Sequence, residues 1–131
     1  MRERIEAELA ILRGRYADLE YRPDGRWVKV PRYVLPSGWS GKEIDVAFQI
    51  PDGFPGVPPY GFYVPAGITC GGIRPGSYTE PAPAQPPFGG VWGFFSWSPE
   101  DGSWRATADP ATGSNVLNYV VGFGQRFREG A

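Results

Sequence analysis

The chain of 131 residues contains no histidine and a single cysteine, Cys70. Without histidine, the triads in which an imidazole base activates a serine or cysteine nucleophile cannot form within this chain. One cysteine excludes an internal disulfide, and without histidine the usual zinc ligand sets cannot be assembled. We therefore expect no dedicated metal site, no cofactor and no histidine-based catalysis.

Excess charge and long apolar runs are also missing. Thirteen basic and 14 acidic residues give a formal net charge of −1, which offers no large electrostatic footprint for nucleic acid or an anionic membrane. No apolar run approaches the roughly 20 residues that a membrane-spanning helix needs. The N-terminal sequence MRERIEAELA carries acids where a signal peptide has an apolar core. The sequence predicts a cytoplasmic protein that binds neither nucleic acid nor membrane.

Glycine, proline and aromatic residues are abundant instead. The 19 glycines and 15 prolines require many turns, while 15% aromatic and 41% apolar residues can supply a hydrophobic core. A chain of this length is long enough for one core and too short for two ordinary domains. We therefore predict a single loop-rich domain over residues 1–131.

Two segments have the periodicity of amphipathic helices. The first covers about 16 N-terminal residues, in which apolar side chains recur every three or four positions: Ile5, Leu9, Leu12 and Tyr16. The second follows Ser114, which we predict as its N-cap. Its apolar stripe comprises Val116, Val120, Phe123 and Phe127, supported by Leu117 and Val121. Gly122 and Gly124 either weaken this helix or allow close packing against it.

Strand patterns lie between the two helices. Leu19–Tyr21 and Trp27–Val30 flank the turn sequence Pro23-Asp24-Gly25, which predicts a hairpin. Lys42–Ile50 alternates apolar and polar residues, and Tyr60–Val64 is a further aromatic strand. The sequence thus predicts an α+β fold: an N-terminal helix, an antiparallel meander of three to four strands and a C-terminal helix. The helices would cover one face of the sheet.

Two segments separate the predicted meander from the second helix. Pro65–Gly90 contains too many prolines and glycines for a helix or a central strand, and we expect a long surface loop or a docking segment for a partner. Val91–Trp104 holds three tryptophans and two phenylalanines. These rings either fill the core or present stacking faces to a carbohydrate or peptide.

The proline-rich sequence between two of the predicted strands is the most informative motif. Phe48–Tyr63 reads FQIPDGFPGVPPYGFY, so Phe54-Pro55-Gly56-Val57-Pro58-Pro59 forms a rigid loop held on a sheet. This loop, together with the order of helices and strands, resembles the ubiquitin-conjugating (E2, UBC-like) superfamily and its YPxxPP-type loop. The resemblance implies that Phe54, Pro55, Val57, Pro58 and Pro59 contact a partner protein, together with the first helix.

A divergent bacterial branch, prokaryotic E2 family E, is the more similar one. The resemblance rests on the PDxxP loop and on Trp92-Gly93-Phe94-Phe95-Ser96, which precedes a turn containing Trp104. It implies a role in bacterial ubiquitin-like protein conjugation, with an E1-like adenylating enzyme and a ubiquitin-like protein as partners. The HPN motif that precedes the E2 cysteine is absent from this chain.

Two residues are candidates for an acyl-carrying nucleophile. Ser96 stands eight residues before Trp104, the position at which the resemblance implies the E2 nucleophile. Cys70, 11 residues after Pro59, is the only thiol. Cys70 would carry a thioester, with Arg74 and the Gly71-Gly72 amides as local support. Ser96 would carry an oxyester and would need a base such as Asp101 or Asp109.

Two non-catalytic interpretations remain open from the sequence. An E2-like module could hold a ubiquitin-like protein or an E1 partner without carrying an acyl group. Alternatively, Trp92, Trp97 and Trp104 could line a carbohydrate- or peptide-binding groove. Exposure of these three rings distinguishes the last interpretation from the others.

Overall fold

A computed structural model describes residues 1–99 and 103–131. Within these residues a helix is followed by six strands and then by a second helix. The helices are α1 (Arg2–Arg15) and α2 (Val116–Arg128), and the strands are β1 (Glu20–Arg22), β2 (Trp27–Val34), β3 (Glu43–Gln49), β4 (Phe62–Pro65), β5 (Tyr78–Thr79) and β6 (Trp92–Phe95). The predicted α+β class is confirmed, with a helix at each end of the chain.

The strands form one antiparallel sheet with the order β1-β2-β3-β4-β6-β5. The first four strands form the predicted meander, but two more strands extend the sheet beyond it, so the predicted count of three to four was too low. β6 pairs with β4, placing Phe62 opposite Phe95, and β5 pairs with the outer side of β6. β5 was missed because its two residues lie in the proline- and glycine-rich segment that the sequence assigned to a loop.

A bulge interrupts the pairing of β2 with β3. The register shifts between Val30 and Tyr33, and Arg32 within this interval has φ of +55°. A non-glycine residue in the left-handed region is uncommon and is found at such irregularities. The shift restores Tyr33 to the buried face, where its ring packs against Tyr16, just after α1, and against Phe123 of α2.

Helix α1 buries three members of the predicted stripe, Ile5, Leu9 and Leu12, whereas the fourth, Tyr16, follows the end of the helix and is half-buried. Glu8 is fully buried on the same helix, which the sequence pattern did not indicate. Its carboxylate pairs with Arg4 at 2.6 Å and accepts a hydrogen bond of 2.7 Å from the backbone N–H of Val116. This N–H is the first of α2, so Glu8 satisfies one of the donors that a helix N-terminus leaves unpaired.

Helix α2 begins one residue later than predicted. Asn115, not Ser114, is its N-cap, because the Asn115 side chain accepts from the N–H of Asn118 while Asn118 Oδ1 accepts from the N–H of Asn115. The predicted stripe of four apolar residues is buried. Val121 was wrongly included in that face, since 48% of it is exposed, and Tyr119 is buried in its place.

Both faces of the sheet are covered to different extents. One face packs against α1 and α2, and Phe62, Phe95 and Phe123 lie at the centre of that core. The opposite face carries a smaller cluster in which Trp92 packs with Ala82 from the 65–90 segment. The 65–90 segment therefore packs against this face of the sheet in addition to connecting β4 with β6. No helix in the described parts of the chain is long and apolar enough to cross a bilayer.

Candidate functional site

The proline-rich loop is fixed to the body of the protein by two aromatic residues. Phe54 is 4% exposed and packs against the ring of Trp104, with 6.3 Å between ring centroids. The Trp104 indole N–H donates a 2.8 Å hydrogen bond to the carbonyl oxygen of Pro55. Phe54 and Trp104 are 50 residues apart in the chain, so this anchor is a tertiary contact. It holds the start of the loop in one place.

The base of the loop has its own set of contacts. The Arg26 guanidinium donates to the Ile50 carbonyl at 3.0 Å and pairs with the Asp52 carboxylate. The N–H of Val57 donates to the carbonyl of Gly53 at 2.9 Å, which closes the loop tip. Such internal hydrogen bonds, together with the fixed φ of the prolines, leave the loop few alternative conformations.

The five residues for which the resemblance implies partner contact differ in exposure. Phe54 and Pro59 are buried, Pro55 and Pro58 are half-buried, and Val57 is 53% exposed at the tip. An exposed valine on an ordered loop presents apolar surface at a small entropic cost of ordering on binding. Of these five residues, Val57 is therefore the one able to make the largest direct contact. Phe54 and Pro59 are buried and hold the loop against the rest of the protein.

A groove of about 320 Å³ lies next to this loop, between Trp104 and α2. Trp97 and Trp104 supply aromatic surface, and Ser103, Asn118 and Gln125 supply polar groups. Tyr119 forms part of its wall, and the Tyr119 hydroxyl donates to the Gly61 carbonyl at 2.6 Å. Burial raises the pKa of Tyr119 well above its ordinary value, so this hydroxyl remains a neutral donor.

The three tryptophans of the 92–104 region do not form one stacking surface. Trp92 is 4% exposed and packs in the smaller core, where its indole N–H donates to Gly89. Trp97 and Trp104 are half-buried and pack against the main core. The proposed carbohydrate surface therefore lacks Trp92, and the two remaining rings belong to the groove beside the proline-rich loop.

Cys70 lies near the C-terminal end of α2, whereas the groove extends along α2 from Asn118 to Gln125. Cys70 is half-buried in a tight turn, where its backbone pairs with Ile73 in both directions. Its sulfur lies near Gly38 and Gly130, and Gly130 follows the C-terminal end of α2. The residues that follow the proline-rich loop contact the first half of α2 instead, where the Tyr119 hydroxyl donates to the Gly61 carbonyl. The structure does not bring Cys70 to the proline-rich loop.

Ser96 directly follows β6 and is exposed. Its N–H donates to the carbonyl of Ser77 at 2.9 Å. The next residue, Trp97, bonds through its carbonyl to the N–H of Gly61, so Ser96 lies closer in the fold to the groove than Cys70 does. Because its side chain is exposed, Ser96 is not a packed residue of the core.

Neither nucleophile candidate has an activating partner in residues 1–99 and 103–131. Hydrogen bonds to Cys70 Sγ or Ser96 Oγ are not found there, and Arg74 lies over the ring of Tyr78 at 5.5 Å. The carboxylate of Asp109 accepts from the N–H of Ala111 within its own turn. The other proposed base, Asp101, lies outside the described residues. The catalytic roles of Cys70 and Ser96 remain predictions.

No group of three acidic, cysteine or histidine side chains in the described ranges is close enough to bind a metal ion. The loop places the exposed apolar side chain of Val57 near a groove that has aromatic walls and polar groups. Sequence reasoning identified the loop and both tryptophans. It did not predict that Trp104 contacts the loop. The only sequence feature that pointed to such a contact was the number of aromatic residues, which exceeds what the predicted sheet needed.

The two glycines of α2 provide a test of how closely Trp97 packs on this helix. A Cβ at Gly122 would lie 2.9 Å from Trp97 Cη2, whereas at Gly124 its one close contact would be the flexible end of Arg128 at 3.0 Å, with the Tyr33 hydroxyl at an ordinary 3.8 Å. Gly124→Ala is expected to raise the free energy of unfolding by about 0.5–1 kcal/mol, because alanine favours the helix. Gly122→Ala must displace the Trp97 ring, which offsets this gain.

Urea denaturation and tryptophan fluorescence of both variants check this prediction. We expect a shifted emission maximum for Gly122→Ala and an unchanged one for Gly124→Ala. Equal stabilisation by both substitutions, with equal spectra, would contradict close packing of Trp97 on α2.

Comparison with protein families, with curated proteins and with solved structures finds no match to this chain.

Proposed function

We propose that this chain is an E2-like domain of a bacterial ubiquitin-like conjugation pathway. In this role it binds an activated ubiquitin-like protein delivered by an E1-like enzyme and positions it, without itself carrying the acyl group. The observation that carries the proposal is the ordered proline-rich loop, with Val57 exposed at its tip and the Trp97–Trp104 groove at its side.

The geometry of the loop supports a binding role. Interface contacts are strongest where an apolar side chain on a rigid support enters a partner, because little conformational entropy is lost on binding. Phe54 and Trp104 provide that support from the core. The half-buried tryptophans continue the apolar surface, and aromatic residues are enriched in such interfaces.

The surroundings of the two nucleophile candidates favour positioning over acyl transfer. An unassisted serine is a weak nucleophile, and no histidine is available in this chain to remove its proton. Cys70 lies near the far end of α2, away from the loop that would hold the partner. Acyl transfer through either residue is the second candidate function, favoured by the exposure of Ser96, the residue before the groove-lining Trp97.

Binding to the ubiquitin-like protein encoded beside this gene tests the proposal. Calorimetric titration of the wild type is expected to show saturable binding, and Val57→Asp is expected to weaken it by about tenfold or more, because a charge at the apolar tip would be desolvated. Val91→Asp is the matched control, since Val91 is 62% exposed at the opposite end of β6 from Ser96. Equal weakening by both variants would contradict a site at the loop.

Intact mass in the same system separates positioning from transfer. After incubation with ATP and the E1-like enzyme, no covalent adduct is expected on this chain. A thiol-sensitive adduct lost only in Cys70→Ala would establish a thioester carrier, and a thiol-resistant, base-labile adduct lost only in Ser96→Ala would establish an oxyester carrier. Either adduct would replace the positioning role by catalysis.

A further inference from the structure

A second groove, on another part of the molecule, is lined by three arginines. It encloses about 410 Å³ between the C-terminal end of α1, the bulged strand β2 and the C-terminal half of α2. Arg15, Arg32 and Arg128 each come from a different one of these elements, and no acidic residue lines the groove. In a chain with a formal net charge of −1, this is a local concentration of positive charge.

The arginines differ in how far their charges are already neutralised. Arg32 pairs with the Asp18 carboxylate, and Glu43 and Asp45 lie near enough to interact with its charge. Arg15 lies over the ring of its neighbour Tyr16, with 5.7 Å to the centroid. Neither Arg15 nor Arg128 forms an ion pair with any residue in the described segments, so two of the three guanidinium groups are available to a ligand.

The floor and sides of the groove are apolar. Val34 of β2 is 73% exposed and Val121 of α2 is 48% exposed, and both line the groove together with Tyr33, which is buried. The hydroxyl of Tyr33 donates to the Val120 carbonyl at 2.8 Å, and burial raises its pKa, so Tyr33 adds no negative charge to the groove. Exposed apolar side chains ringed by cations are typical of a recognition surface.

We propose that this groove binds an acidic peptide segment of a partner protein. An apolar side chain of the segment would lie against Val34 and Val121, and carboxylates on either side of it would pair with Arg15 and Arg128. Guanidinium groups bind carboxylates through two parallel hydrogen bonds, which gives the pairing a defined geometry. The charge of the rim selects an acidic occupant over a neutral or basic one.

A short labelled peptide tests this site independently of the proline-rich loop. The probe has one leucine with two glutamates on each side, and the control peptide has glutamines in place of the glutamates. Fluorescence anisotropy is expected to show saturable binding of the acidic peptide that weakens as salt concentration rises. Equal binding of the glutamine peptide, or no binding of either, would overturn the proposal.

Matched substitutions locate the peptide on the protein. Arg15→Glu is expected to weaken binding by about threefold to tenfold, because it replaces an attraction by a repulsion. Arg13→Glu makes the same charge change in the last turn of the same helix but lies outside this groove, so it should leave affinity near that of the wild type. An equal loss in both variants would show a diffuse charge effect and would overturn the site.

Asp18 provides a substitution with the opposite expected sign. Asp18→Asn removes the carboxylate that pairs with Arg32, which makes this guanidinium more available to the ligand although Glu43 and Asp45 remain near it. We expect the acidic peptide to bind about twofold to threefold more tightly. Weaker or unchanged binding would contradict the participation of Arg32. The Val57→Asp variant should bind the peptide as the wild type does, which separates this site from the proposed function.

Discussion

Replacing Glu8 by alanine is expected to lower the free energy of unfolding by about 3–5 kcal/mol, the range for breaking a buried ion pair by removing one partner. Glu8 is fully buried and accepts from both the Arg4 guanidinium and the N–H of Val116. Alanine would leave the Arg4 charge, only 13% exposed, without its carboxylate. It would also leave the first N–H of α2 unpaired in the protein interior.

The position of Arg4 makes this loss difficult to compensate. Its Nη1 already donates to the carbonyl of Thr107, whereas Nη2 is buried without a hydrogen-bond partner. Removing the carboxylate would therefore increase the number of unsatisfied donors on a buried cation. Because Glu8 joins α1 to the start of α2, the substitution should also weaken the contact between the two helices.

Two further variants separate charge from hydrogen bonding. Glu8→Gln keeps an oxygen for the Val116 N–H but removes the negative charge, so an intermediate loss is expected. Glu6→Ala removes a carboxylate that pairs with Arg2 at 3.4 Å on the exposed side of the same helix, and a change within about 0.5 kcal/mol is expected. Urea denaturation measures all three. A loss below about 1 kcal/mol for Glu8→Ala would contradict the role assigned to this carboxylate.

Glu8 also shows where sequence reasoning stops. The periodic stripe of α1 is a local pattern, and it correctly gave Ile5, Leu9 and Leu12 as buried. A buried glutamate breaks this pattern, because its burial depends on a partner N–H that is 108 residues away in the chain. No spacing rule within α1 could indicate that contact.

The strands of the sheet were likewise predicted only where the sequence carries a local signal. β1 to β4 have alternating patterns or strong turn signals, and their order was predicted from these. β5 pairs through two residues, Tyr78 and Thr79, and is too short to have a periodicity of its own. Its place in the sheet is determined by pairing with β6, a tertiary effect that overrides the local preference of a proline-rich segment for irregular structure.

In the candidate site, too, the local features were predicted and the tertiary contacts were not. The sequence indicated a rigid loop at Phe54–Pro59 because prolines restrict the backbone locally. It did not indicate that Phe54 is buried or that Trp104 bonds to Pro55, since both depend on how the last third of the chain folds back. Cys70 and Ser96 were separated by fold topology, which spacing along the chain could not determine.

Trp104→Ala is the second substitution with a large expected effect, a loss of about 2–4 kcal/mol in the free energy of unfolding. Removing the ring leaves a cavity beside Phe54 and deletes the hydrogen bond to Pro55. Trp104 is half-buried, so the loss should be smaller than for a fully buried tryptophan. Trp104→Phe keeps a ring against Phe54 but lacks the indole N–H, and about 1 kcal/mol is expected for it.

Amide hydrogen exchange distinguishes a local effect on the loop from a global loss of stability. The N–H groups of Phe54 and Val57 donate to carbonyls within the loop. In Trp104→Ala we expect their exchange to accelerate more than that of Val120 in the buried face of α2, because the loop opens without unfolding of the core. Equal acceleration at all three amides would show that Trp104 stabilises the whole fold and does not hold the loop in particular.

The same variant links the anchor to binding of the ubiquitin-like protein. Val57 remains in place in Trp104→Ala, so the apolar contact is still available, but the loop must be ordered when the partner binds. The affinity should therefore fall through a less favourable binding entropy, whereas Val57→Asp should weaken binding by placing an unpaired charge in the interface. Calorimetry separates these two causes. An unchanged affinity in Trp104→Ala, together with rapid exchange at Phe54 and Val57, would contradict the proposal that the rigidity of this loop contributes to binding.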